Sequence, residues 1–148
     1  MFRETDAIKD GKIADKGALS GIKVLDLTRY LSGPQTTLFL GALGAEVLII
    51  DNPHQGDPVR NSPPFFGKDG VSMSKASPLD IGIAYLKRAR SKKSIELDLK
   101  SEDGINTFMR LAEKADVIVE NFRVGVTKRL KIDYEQLKSK NPKIIYCS

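Results

Sequence analysis

Arg29-Tyr30-Leu31-Ser32-Gly33-Pro34 gathers a cation, a hydroxyl, a flexible glycine and a proline into one short stretch. Proline suits a first helical turn, and the free N–H groups of a helix start favour anions, so a phosphate could sit here. The plainer possibility is that Ser32-Gly33-Pro34 only caps a helix. Glu120-Asn121-Phe122-Arg123-Val124-Gly125 brings together an amide, a ring, a cation and a turn-forming glycine. Asn can hydrogen-bond a base edge or a loop, and Phe can stack on a base or plug a core. Between the two stretches, Lys87, Arg88, Arg90, Lys92 and Lys93 put five cations into seven residues without an acid among them. Such a run usually marks a solvated face, but here its field is uncompensated. Only Tyr85 lies near as a stacking platform, which favours a phosphate-bearing small molecule over RNA.

Other chemistries find no residues. A nicotinamide-binding turn needs G-x-G-x-x-G, and the stretch from Gly33 lacks two of its three glycines, although Asp51 sits where a ribose-binding acid would. The phosphate-binding Gly-Lys-Ser/Thr pattern is absent. One cysteine, Cys147, makes no internal disulfide, and with His54 the single histidine there is no set for zinc. His54 lies in a proline-rich loop without a nucleophile beside it and reads as a surface residue. Cys147 falls within an apolar run, where a buried, inert thiol is expected. No catalytic set can be assembled.

The elements that must position these loops follow from periodicity. Ile22, Val24, Leu25 and Leu27 form a short strand. The turn at 32–34 then starts a helix that carries apolar residues all round from Leu38 to Leu43 and stops at Gly44, so a short, largely buried helix is expected. Glu46-Val47-Leu48-Ile49-Ile50-Asp51 reads as a strand covered on both faces. Five prolines, at 53, 58, 63, 64 and 78, argue against regular structure before Ile81. Strict alternation over 93–99 predicts a strand with one solvated face. Ser101 caps the next helix, with Glu102 and Asp103 in its first turn and Ile105, Phe108, Met109 and Ala112 at helical spacing. Val117-Ile118-Val119 is a buried strand; a basic helical stretch from Thr127, a helix begun near Asp133 and the strand Ile144-Ile145-Tyr146-Cys147 follow. If helix continues back from Thr127, Arg129 lies about two turns beyond Phe122 and reaches the same mouth.

Alternating strands and helices predict an α/β fold, Rossmann-like, with a mainly parallel open sheet whose ligands gather at the carboxyl ends of its strands. With 148 residues, 41% apolar and 29% charged, the chain suits one soluble domain. No apolar run reaches membrane-spanning length or marks a signal peptide, so a cytoplasmic protein without a membrane partner is expected. The net charge of +5 is uneven: residues 1–80 hold 9 Lys/Arg against 10 Asp/Glu, residues 81–148 hold 15 against 9. The positive field of the second half suits a polyanionic partner. Residues 1–20 show no period and read as a flexible lead-in to a unit at 21–148.

Seven segments, in order and spacing, resemble the N-terminal part of the class III coenzyme A transferases, the group of formyl-CoA transferase, carnitine CoA-transferase and α-methylacyl-CoA racemase. They are Gly21-Ile22-Lys23-Val24-Leu25-Asp26-Leu27-Thr28-Arg29, Ser32-Gly33-Pro34, Leu43-Gly44-Ala45-Glu46-Val47, Gly56-Asp57-Pro58-Val59-Arg60, the stretch from Lys92 to Lys100, the stretch from Ala115 to Arg123, and Asn141-Pro142-Lys143-Ile144-Ile145-Tyr146-Cys147-Ser148. The resemblance implies a Rossmann-like domain binding the CoA nucleotide, in a homodimer whose chains interlink like rings. Carried over by position, Arg29, Leu31 and Ser32 lie along the CoA, Leu97 and Lys100 near its adenine and phosphate end, and Asn121, Phe122, Val126 and Arg129 complete the cradle. Where some members carry Arg after the second strand to meet the adenine-ribose end, this chain has Asn52, a departure for which the 87–93 cluster stands to compensate.

The implied activity is acyl-CoA:carboxylate CoA transfer, with acyl-CoA and a carboxylic acid as substrates, through an aspartate that becomes a mixed anhydride and then an aspartyl thioester. By position that aspartate belongs some twenty residues after the final strand, beyond Ser148. The expectation is therefore an N-terminal, CoA-binding fragment without catalytic residue or metal, inactive alone. A racemase-like enzyme and a non-catalytic CoA- or nucleotide-binding module remain the alternatives.

Overall fold

A computed structural model of the chain describes residues 17–148, together with the backbone of two short strands before them. In chain order the elements are β1 (Ile8–Lys9), β2 (Lys12–Ile13), β3 (Lys23–Asp26), α1 (Ser32–Ala42), β4 (Glu46–Asp51), a 3-10 turn at Pro58–Asn61, β5 (Phe65–Gly67), β6 (Gly70–Ser72), β7 (Ile81–Gly82) and α2 (Ile83–Ala89). Then come β8 (Lys93–Glu96), α3 (Glu102–Ala112), β9 (Val117–Val119), α4 (Val126–Arg129), α5 (Tyr134–Lys140) and β10 (Ile145–Cys147).

Five of these strands build one parallel sheet in the order β10-β9-β3-β4-β8. The chain steps outward from β3 through β4 to β8, then returns to the other side of β3 for β9 and β10. The order reverses between β3 and β9, and in a doubly wound sheet a crevice opens at that point, beyond the carboxyl ends of the strands.

Alternation along the strands divides the core. Leu25, Leu27, Ile50 and Ile118 join Phe108 and Ala112 of α3 and Leu137 of α5 in the larger cluster. Val24, Val47 and Val119 form a smaller one with Ala45, against which Leu40 of α1 rests. The helix α3 follows its sequence signals: Ser101 Oγ accepts from the Gly104 N–H at 3.0 Å, acids occupy the first turn, and Phe108 and Ala112 are buried.

Three expectations are corrected. Of α1 only Gly33, Pro34 and Thr37 are buried, while Phe39 and Leu43 remain 59% and 50% exposed, because a helix apolar all round can offer only one side to a sheet. The proline-rich stretch contains a three-stranded antiparallel sheet, β6-β5-β7. Its prolines stand outside the strands, and Lys68-Asp69 with Gly70 at φ 95° turns β5 into β6. Cys147 is exposed, since β10 is an outer strand of the parallel sheet. Within the described part of the expected lead-in, the Leu19 N–H donates to the Leu43 carbonyl at 2.8 Å, and the Leu19 side chain packs on the smaller cluster. The expected lead-in otherwise lies outside the described residues, apart from the antiparallel pairing of β1 with β2.

Candidate nucleotide-binding cleft

The loops after β3, β4, β8 and β9 converge on a cleft of about 610 Å³ at the point where the strand order reverses. Arg29 and Tyr30 line it from the first loop, Asp51, Asn52 and Gln55 from the second, the run from Leu97 to Lys100 from the third, and Asn121, Phe122 and Arg123 from the fourth. Ile105, Val126 and Leu130 supply apolar wall, and Arg129 reaches it from α4.

The first loop is held from two sides. The Asn121 amide accepts from the Arg29 N–H at 2.9 Å and donates to the Arg29 carbonyl at 2.8 Å, joining loops 92 residues apart. Asp57, itself buried, accepts from the Tyr30 N–H at 3.3 Å and from Val59 N–H at 3.0 Å. Tyr30 sits between these fastenings at φ 71°, a backbone state costly for a bulky residue and kept only where the surroundings dictate it. The Arg29 guanidinium lies 5.9 Å from the centroid of the Phe122 ring, within cation–π range.

The fourth loop has a fastening of its own. The buried Glu120 carboxylate accepts from the Phe122 N–H at 2.7 Å and from the Tyr146 hydroxyl at 3.3 Å. Burial, and then the Glu120 charge, push the Tyr146 phenol far above its usual range. The Tyr85 phenol is likewise raised, chiefly by burial, although Arg60 lies 5.0 Å from its ring and pulls the other way.

Electrostatically the cleft is positive. Arg29, Lys100, Arg123 and Arg129 line it, and among the described residues none of them makes an ion pair. Its two acids are engaged: Asp51 accepts from the Asn52 N–H and pairs with Arg60 at 3.3 Å, while Asp98 accepts from the Lys100 N–H at 3.0 Å. Such a cleft suits a polyanion with a flat apolar portion. No group of three or more metal-ligating side chains occurs among the described residues.

Eight of the residues nominated from sequence meet here: Arg29, Asn52, Leu97, Lys100, Asn121, Phe122, Val126 and Arg129. Leu31 and Ser32 do not line the cleft; they stand exposed at the start of α1. Arg129 arrives by a different route from the one expected, since Gly125 at φ 83° precedes α4 and the residues from Phe122 to Gly125 are not helical. None of Lys87, Arg88, Arg90, Lys92 and Lys93 lines the cleft, so the cluster does not compensate there for Asn52. Its members sit on α2, in the link that follows it and at the amino end of β8, whereas the cleft lies at the carboxyl end. His54 is a surface residue, its side chain 75% exposed and 3.9 Å from Asp98.

Sequence reasoning missed the polar groups that fasten these loops. Asp57 and Glu120 carry no role in the sequence reading, and Asp26 reads as part of an apolar strand. The signal for Asp26 was available: Asp26 and Thr28 are two apart, hence on one face of a strand whose neighbours are apolar.

The sequence matches CoA-transferase family III over residues 19–148. It is 39% identical over 132 residues to a succinyl-CoA:mesaconate CoA-transferase of Haloarcula hispanica, covering 89% of this chain and 31% of that protein. It is 40% identical over 131 residues to the human succinyl-CoA:glutarate CoA-transferase, covering 88% and 27% respectively. The crystal structure of a CaiB/BaiF family protein from Brucella suis matches with a TM-score of 0.78 at 36% identity, over 90% of this chain and 33% of that one. The chain thus spans roughly a third of the length of the relatives it matches.

Proposed function

The chain belongs to CoA-transferase family III, and from that premise we propose that it carries the nucleotide-binding part of an acyl-CoA:carboxylate CoA-transferase. The adenosine and phosphates of coenzyme A occupy the cleft. The observation that carries this reading is the clasp of Asn121 on both backbone groups of Arg29, which fixes a cation beside the Phe122 ring in a cleft with three further cations that make no ion pair among the described residues.

Roles follow from chemistry. Lys100, Arg123 and Arg129 meet phosphate oxygens, to which ammonium and guanidinium groups bond strongly. Phe122, Leu97 and Val126 offer the adenine ring apolar contact, and Asn52 offers amide hydrogen bonds at the ribose end. Leu31 and Ser32, outside the cleft and exposed, lie along the path of the pantetheine arm as it leaves. The acyl acceptor is a carboxylic acid, and exchange proceeds through an aspartyl thioester in the whole enzyme. The two cleft carboxylates, Asp51 and Asp98, are bonded to Arg60 and to the Lys100 N–H and serve to hold the loops of the acyl-CoA site. The enzyme works as a cytoplasmic homodimer.

Isothermal titration of the chain with CoA tests the reading. Saturable one-to-one binding is expected, weakened several-fold in Lys100→Gln and in Arg129→Gln, with a shallower salt dependence in each. No binding, or binding indifferent to both substitutions, overturns it.

A further inference from the structure

Lys92 was one of five cations that read as a solvated or ligand-seeking cluster, yet its side chain is 1% exposed. Its ammonium lies 3.0 Å from Asp26 Oδ2, 2.9 Å from the Pro34 carbonyl and 2.6 Å from Thr37 Oγ1, so all three of its protons are used. Asp26, 2% exposed, is equally saturated: it also accepts from the Thr28 N–H and from the hydroxyls of Thr28 and Thr37. The buried pair is thus neutral as a unit and fully hydrogen-bonded, the condition under which buried charges are tolerated.

The connectivity of this network goes beyond packing. Asp26 ends β3 and Thr28 lies just past it, before Arg29, while Pro34 and Thr37 belong to the first turns of the helix that follows Leu31. One ammonium, brought in from the link between α2 and β8, ties both ends of the first loop together from beneath. Gly33 allows this close approach: a Cβ there would overlap the Thr28 side chain. From above, the loop is held by Asn121 and Asp57.

We propose that Lys92, with Thr37, is a positioning residue for the CoA cleft, setting the first loop so that Arg29 faces the ligand. This rests on the cleft being the CoA site. Pre-set loops bind better because the ordering cost is met on folding. Loss of the tie lets Arg29 move by a fraction of an ångström or more while the sheet, whose core lies on apolar residues, stays folded.

The test uses the chain with CoA as the probe. Thr37→Val removes one partner of the ammonium at nearly constant volume, and Thr37→Ser restores the hydroxyl. Asp26→Leu combined with Lys92→Met removes the pair together, which avoids a buried unpaired charge. Thr37→Val is expected to fold with a dissociation constant for CoA raised several-fold and the Arg29 amide resonance shifted; Thr37→Ser returns both toward wild type. The double variant is expected to weaken binding by roughly tenfold or more. Wild-type affinity and an unmoved Arg29 resonance in a folded Thr37→Val overturn the proposal. If the wild-type chain fails to bind CoA, the reading of the cleft fails instead, and the ligand-free Arg29 resonance still decides whether Lys92 and Thr37 set the loop.

Discussion

At the scale of single residues, the cleft depends on side chains that bind other protein groups as much as on those that face the solvent. Asn121 commits both ends of its amide to Arg29. Asn121→Ala is expected to cost about 1 kcal/mol of stability while weakening CoA binding by more than that loss alone would. Asn121→Asp keeps the acceptor for the Arg29 N–H but sets a carboxylate against the Arg29 carbonyl and adds an anion to the cleft, so its affinity should fall below that of Asn121→Ala; paired thermal denaturation and titration check both. Tyr146 gives a prediction in pH. Its phenol is raised on folding by burial and then by Glu120, so the folded state keeps a proton that the unfolded chain releases near the ordinary value of 10.0. The stabilisation is complete below that value and is lost as pH rises above it. Tyr146→Phe should flatten the alkaline fall in melting temperature and change little at neutral pH. Asn121 and Phe122 were legible as polar and aromatic residues following a strand. Their partners were not, because Arg29 lies 92 residues from Asn121 and only the sheet brings them together.

At the scale of elements, legibility followed how local the determining physics was. The helix α3 was readable because its cap, acids and apolar stripe all lie within its own stretch. Ser101→Ala should therefore cost about 1 kcal/mol, measured by denaturant unfolding. Gly104→Ala tests a contact that no pattern within the helix reveals: a Cβ there would overlap the Asp98 carbonyl at the rim of the cleft. Despite the gain in helix propensity it should destabilise, by about 1–3 kcal/mol. The helix α1 was misread because its apolar residues carry no side preference, and the small sheet because its prolines were counted without regard to where pairing stops. The cation cluster was misread for a related reason. A row of charges in sequence says nothing about which one turns inward, and Lys92 does so only because Asp26 and Thr37 wait on the other side of β4.

At the scale of the whole molecule, the parallel sheet with its reversal between β3 and β9 makes the crevice, and the uneven charge read from sequence is concentrated there only in part. Lys100, Arg123 and Arg129 belong to the basic half and line the cleft, but Lys87 through Lys93 do not. The molecule also exposes Leu31, Phe39 and Leu43 on and around α1, and Phe66, Val71, Met73 and Leu79 on the small sheet and the segment after it. Where such side chains adjoin, they suit burial against another protein surface. On the homodimer proposed above, sedimentation velocity should show concentration-dependent self-association that Phe39→Ser with Leu43→Ser reduces; a monomer at all concentrations would count against it. The most direct test of the central claim is to follow the backbone amide resonances of the chain during titration with CoA. Saturable shifts concentrated at Arg29, Leu97, Lys100, Asn121 and Phe122 are predicted. Absence of shifts, or shifts centred on the α2 cations instead, would contradict the assignment of the cleft.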